Sequence, residues 1–180
     1  MRRLILFVLA LAAALVLVPT TAVADSATHS YVLFMGEPNF GVAPNGDTVA
    51  ITGQAQFSVK PNGVSGGGTF THMNAAGTVL ATGSWEATGL LDYQSYGCGA
   101  VFGNPIPPNL CGGRVAMTVA LTTPLGQLPG ILTVICVIGP NPPNSIISSG
   151  DRSEGATLSV PGIINFNHTA GGDNVIVQTS

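Results

Sequence analysis

From Asp47 to Val59 apolar and polar residues alternate. Val49, Ile51, Ala55, Phe57 and Val59 fall on one side, and Thr48, Thr52, Gln54, Gln56 and Ser58 on the other. Successive side chains of a strand point to opposite faces, so this run predicts an antiparallel strand with one face buried and one wet, with a bend or bulge at Gly53. The same period governs Thr69–Met73 and Thr78–Ala87, which flank Asn74-Ala75-Ala76-Gly77. Gly77 can take the positive φ that closes a hairpin loop of about four or five residues, and the stretch predicts a β-hairpin. Pairing Met73 with Thr78 sets His72 opposite Val79, Phe70 opposite Ala81 and Gly66 opposite Trp85. One face then carries Phe70, His72, Val79, Ala81, Gly83 and Trp85, and the other carries Thr69, Thr71, Met73, Leu80, Thr82 and Glu86.

The remaining chain reads the same way. Tyr31–Met35 predicts a strand that stops at Gly36, with Glu37–Gly41 as a turn, and Leu90–Tyr96 a strand after a bend at Gly89. Arg114–Leu121 places Val115, Met117, Val119 and Leu121 on one side, while Ile131–Ile138 is apolar on both, as in a central or covered strand. Cys98 to Cys111 and Gly139 to Asn144 are rich in Pro and Gly and predict loops, the second anchored by Ile146 and Ile147. Ala156–Val160, Gly162–Asn167 and Asn174–Gln178 supply the closing strands. The expectation is an all-β fold, a single antiparallel β-barrel or β-sandwich domain of about 8–10 short strands.

The first residues follow a different rule. Arg2 and Arg3 precede an uninterrupted apolar run from Leu4 to Val18, and Ala22-Val23-Ala24 has the small-x-small form of a cleavage site. Residues 1–24 therefore predict a secretory signal peptide, and 25–180 a single secreted or extracytoplasmic β-domain with no retained transmembrane helix. Removal of the leader leaves Lys60, Arg114 and Arg152 against eight carboxylates, a formal charge of −5. Such a chain has no basic patch with which to neutralise a phosphate backbone, which excludes nucleic acid as the expected partner. With only five Lys or Arg and eight Asp or Glu in 180 residues, the surface must be built from uncharged hydrogen-bonding groups. Weak charge repulsion also favours self-association.

Cysteine usage fits an oxidising compartment. Cys98 and Cys111 bracket the proline-rich loop and predict a local disulfide, whereas Cys136 lies in an apolar strand and predicts a buried free thiol. Gly66-Gly67-Gly68 lacks the Lys-Ser or Lys-Thr of a phosphate loop and reads as a flexible strand entry. The donors His29, His72, His168, Glu86 and Asp92 show no short metal-ligand spacing, and no metal or other cofactor is expected. Gly83-Ser84-Trp85 is not a nucleophile elbow. Asn167-His168-Thr169 satisfies the glycosylation acceptor pattern.

Three functions rank in order. First is a non-enzymatic extracellular interaction or structural domain, presenting a loop or sheet surface to an extracellular or cell-envelope macromolecule or to another copy of itself. Second is a small barrel binding an apolar or mixed-polarity ligand, with Phe57, Phe70, His72, Trp85, Met117 and Ile135 lining its interior. Third is a carboxylate- or metal-dependent hydrolase, which would require His72, Glu86 and Asp92 to converge.

Overall fold

The computed structural model describes residues 28–144 and 154–180; the expected leader and the Ile146–Ile147 anchor fall outside the described residues. Eleven strands follow one another: β1 (Ser30–Val42), β2 (Thr48–Ser58), β3 (Gly63–Met73), β4 (Val79–Cys98), β5 (Ala100–Val101), β6 (Asn104–Pro105), β7 (Leu110–Thr123), β8 (Gly126–Cys136), β9 (Gly155–Val160), β10 (Ile164–Phe166) and β11 (His168–Gln178). Antiparallel ladders join β11 to β1, then β2, β3, β4, β7, β8 and β9 in turn. One parallel contact, Gly171 with Gly155, links β11 back to β9 and closes the circuit. The fold is all-β and antiparallel, as expected. Strand lengths differ from expectation, because β4 alone runs for 20 residues.

Bulges explain the long strands. β1 continues through Glu37-Pro38 because the register slips between Met35 and Asn39, leaving Pro38 without a ladder bond to make. β4 passes Gly89 unbroken through slips at Ala87/Gly89, Leu90/Asp92 and Ser95/Gly97, which move its inward positions out of strict alternation. The expected breaks at Gly36 and Gly89 are thus bulges. β2 keeps its period throughout and β7 from Gly113 onward, and Val49, Ile51, Ala55, Phe57, Val115, Met117, Val119 and Leu121 are all buried. Val59, past the end of β2, is exposed.

The β3–β4 hairpin forms with a register two residues from that expected: His72 pairs with Ala81, Phe70 with Gly83 and Gly68 with Trp85. A shift of two preserves the faces from Ala81 onward, whereas Val79, expected opposite His72, pairs with Met73 and is exposed. One residue of the slip arises at the turn, where Asn74 N–H donates to Thr78 O at 2.9 Å and Met73 pairs with Val79, and the second is a bulge that leaves Leu80 unpaired between Val79 and Ala81. The triple glycine is neither a phosphate loop nor a loose entry. It is paired strand, and Gly68 and Gly53 leave the slot that the Trp85 indole fills: a Cβ on either would fall 2.7 or 2.6 Å from the ring. Trp85 Nε1–H donates to Thr52 O at 2.9 Å across that slot.

Outside, the same strands present hydroxyls. Thr52, Thr69, Ser84 and Thr122 stand in one row across β2, β3, β4 and β7, with Thr52 and Thr69 hydrogen-bonded at 2.9 Å. This row hydrates the sheet without charge.

Candidate functional site

Two hairpins of unequal reach create an apolar surface groove. β3 and β4 remain paired up to Met73 and Val79, whereas the last β4–β7 pair is Ser84 with Thr122 and β7 turns into β8 at Thr123 and Gly126. Each turn is built by its own residues. Asn74 Oδ1 accepts the N–H groups of Ala76 and Thr78 at 3.0 and 2.9 Å, and Gly77 takes a φ of 82°. Thr123 Oγ1 accepts Leu125 N–H at 3.1 Å and donates to Gly126 O at 3.0 Å. The side chains that follow are left without cover: Val79 is 54 %, Leu80 55 % and Leu125 100 % exposed.

Between the protruding β4 segment and the β7–β8 turn lies a groove of about 540 Å³, lined by these three residues with Thr82, Pro124 and Leu128 among others. No ionisable side chain lines it. Apolar side chains exposed together around a concavity mark a contact surface more than scattered ones do. Sequence reasoning placed Leu80 on the outer face but missed the groove, whose only local signals are Val79-Leu80 directly after one turn and Leu125 inside another.

The six residues expected to line a ligand cavity separate. Phe57, Phe70, Trp85 and Met117 do point inward and are buried. Around Phe70 and Trp85 the interior is filled: the space bounded by them with Ile51, Val119, Leu132 and Leu158 does not admit a water molecule. Phe57 stacks on Tyr31 with centroids 5.0 Å apart and meets Tyr93 edge-on at 4.9 Å. Tyr31 and Phe57 line a second, more open depression of about 540 Å³ beside Gln56 and Ser58, but they are only 7 % and 3 % exposed. Burial raises Tyr93 to about 12, and its hydroxyl donates to Gly112 O at 3.3 Å. Ile135 has the parity of the outward residues Ile131 and Thr133, opposite to Leu132, Val134 and Cys136, so it does not line the interior.

His72 lies apart from Trp85. It packs edge-on against Phe166 of β10 at 5.1 Å, and its Nε2–H donates to Asp47 Oδ2 at 2.9 Å. This pair ties the β1–β2 loop to the β3 strand. The hydrogen bond from His72, helped by Asn45 and the Ala75 backbone, outweighs desolvation and holds Asp47 below the usual carboxylate range. A carboxylate whose folded pKa is depressed stabilises above its unfolded pKa, and that contribution is lost as pH falls through the folded value. The expected outcome is that wild type exceeds Asp47→Asn in urea midpoint near neutrality and that the gap closes as pH falls below the ordinary carboxylate range of about 4. A gap independent of pH in urea titrations would show that the ion pair contributes nothing.

The hydrolase constellation does not assemble. Glu86 is exposed on the outer face, Asp92 accepts from Arg114 Nη2 at 3.0 Å, and His72 is engaged by Asp47. Among the described residues no group of three His, Cys, Asp or Glu side chains is placed to hold a metal ion. Cys98 and Cys111 are register partners with their sulfurs 2.02 Å apart, the pairing expected. Cys136 is fully buried; desolvation pushes its thiol up to about 12, and it donates to Asn174 O at 3.0 Å. A thiol so placed is no nucleophile.

A buried polar pair went unforeseen. Asn39 and Asn174 are 0 % and 1 % exposed, and Asn174 Nδ2 donates to Asn39 Oδ1 at 2.7 Å and to Ile135 O at 3.0 Å. They sit where β1, β8, β9 and β11 come together, and satisfy backbone groups that the bulge in β1 and the single β9–β11 contact leave open. His29 and His168, the other candidate donors, lie at the surface.

Compared with models of known families, with curated proteins and with solved structures, the chain matches none.

Proposed function

We propose that the chain is a non-catalytic extracytoplasmic interaction domain that receives an uncharged macromolecular segment in the groove between its hairpin ends. The observation that carries this reading is the clustering of Val79, Leu80 and Leu125 around that groove, exposed, while the interior at Phe70 and Trp85 is filled. Apolar surface left outside a packed barrel contributes roughly 25 cal/mol for each Å² that a partner covers, and loses that contribution when the site is charged. A paired-sulfur loop and a surface of neutral hydroxyls suit an exported protein.

An apolar fluorescent dye tests the location. It is expected to bind the wild-type chain and to lose about tenfold in affinity in both Leu80→Asp and Leu125→Asp, with the far-ultraviolet circular dichroism unchanged. Dye binding that survives both substitutions and quenches Trp85 emission would favour instead an apolar ligand carried inside the barrel.

A further inference from the structure

We infer that the disulfide-closed loop from Cys98 to Cys111 is a membrane-contact element that sets Phe102 into the interfacial layer of a lipid bilayer. Phe102 and Gly103 form the two-residue turn between β5 and β6, with φ of 48° and 81°. A turn left-handed at both positions favours Asn-Gly. Among the described residues Phe102 is the only one other than glycine with a positive φ. A bulky side chain held in that conformation at a cost points to a use outside the fold. It stands at the tip of the loop, 54 % exposed.

The surroundings of Phe102 favour lipid over a protein surface. No charged side chain occurs in residues 97–113, nor in residues 137–144. The second segment joins the first through the Val101–Gly139 bridge and a hydrogen bond from Gly139 N–H to Ala100 O at 2.7 Å. A bilayer supplies no hydrogen-bond partners in its apolar part, so backbone that approaches it must satisfy its own groups. From residue 105 to 110 this loop has largely done so. Pro105, Pro107 and Pro108 have no N–H to satisfy, and the N–H groups of Ile106 and Leu110 donate to Gly99 O and Pro107 O at 3.1 and 3.0 Å. Gly99 N–H and Gln178 N–H cover Leu110 O and Asn109 O, each at 2.9 Å. A protein partner would gain few hydrogen bonds from such a loop, whereas lipid asks for none. Asn104 and Asn109, both exposed, supply amides for the headgroup layer.

The course of the chain brings this end to a membrane. The apolar run of the expected leader ends at Val18, and the described fold begins at Thr28. His29 Nδ1 meets Gln178 Nε2 at 3.2 Å, and Gln178 is the residue bonded to Asn109 of the loop. The chain thus enters the fold beside the loop, which faces the bilayer during export. The exported chain's formal −5 repels anionic lipid, so a neutral bilayer is the surface expected. The groove lies at the other ends of β4 and β7, and the loop's role does not depend on it.

The test is flotation of the chain recovered after export with phosphatidylcholine vesicles. Wild type is expected to float with the vesicles equally at low and high salt, since apolar area and not charge holds it. Phe102→Asn is expected to lower the partition coefficient by at least about tenfold without lowering the urea midpoint, because asparagine suits the left-handed turn. Leu125→Asp, in the groove, is expected to leave vesicle binding unchanged. Phe102→Trp is expected to bind as wild type does, and its emission to move to shorter wavelength on adding vesicles, a shift that the buried Trp85 of wild type does not give. A wild-type chain that stays in the lipid-free fraction would overturn the assignment and leave Phe102 to a protein partner. Binding that survives Phe102→Asn, that is lost in Leu125→Asp or in high salt, or that leaves the Phe102→Trp emission unmoved would overturn it as well. The groove reading stands through each of these failures, because dye binding tests it separately.

Discussion

Replacing Trp85 by Ala is expected to destabilise the fold by about 3–5 kcal/mol, the range for removing a buried aromatic side chain. Trp85 is 3 % exposed and is held by more than its burial. The indole lies in a slot that exists because Gly53 and Gly68 lack side chains, and its N–H satisfies the Thr52 carbonyl. Truncation leaves three surfaces facing a void: the two glycines cannot move in without parting β2 from β3, and the small gap beside Phe70 has no mobile side chain to donate. Trp85→Phe is expected to cost less, because it keeps most of the volume and gives up chiefly the hydrogen bond, worth about 1 kcal/mol. Urea unfolding followed by circular dichroism measures both. A loss under about 1 kcal/mol for Trp85→Ala would mean that the interior was already hollow there, which would move the ligand-carrying barrel ahead of the interaction domain.

The reciprocal substitution probes the same slot from the other side. A Cβ at Gly68 would stand 1.9 Å from Thr52 O and 2.6 Å from Gly53 Cα, both backbone atoms of the neighbouring strand. Neither can yield without breaking the β2–β3 ladder, so the glycine run that looked like flexibility in the sequence is a packing requirement.

That contrast shows what was legible. Period-two alternation located β2, the β3–β4 hairpin and β7, and the inward sets of Phe57, Phe70, Trp85 and Met117 followed from parity alone. Parity survived from Ala81 onward although the hairpin register slipped, because a displacement of two residues returns each side chain to the same face; Val79, before the bulge at Leu80, is displaced by one and lost it. What the sequence hid was non-local. Asn39 reads as part of a Pro-Asn turn, yet its partner Asn174 is 135 residues away, and only their meeting at the closing seam turns a turn-former into a buried strand residue. Ile135 was misassigned for a related reason: an apolar strand has no polar side to mark which face points outward, and the ladder to β7 and β9 sets it. The groove is hidden in the same sense. It depends on one hairpin outreaching another, a comparison between Asn74–Gly77 and Thr123–Gly126 that no single window contains.

Opening the Cys98–Cys111 link is expected to cost about 3 kcal/mol, which for a domain of this size lowers the melting midpoint by about 10 °C. The argument starts from the unfolded chain. The two cysteines are 13 positions apart, and between them lie the short β5 and β6 strands and, after Gly99, four prolines and glycines: Gly103, Pro105, Pro107 and Pro108. In the folded state β4 and β7 are already in register at this point, with Gly97 opposite Gly112 and Ser95 opposite Gly113, so the covalent link adds little that the ladder lacks. Its effect falls on the denatured ensemble, where it removes the freedom of a closed loop. The double variant Cys98→Ala/Cys111→Ala should therefore keep the same all-β circular dichroism while unfolding at lower urea, and reductant should move wild type to the same midpoint and leave the variant where it is. Midpoints that coincide for oxidised wild type, reduced wild type and the variant would mean that the loop is ordered by its own packing and that the link is dispensable. Since Cys136 is buried and its thiol is held protonated, the shift on reduction reports this one bond.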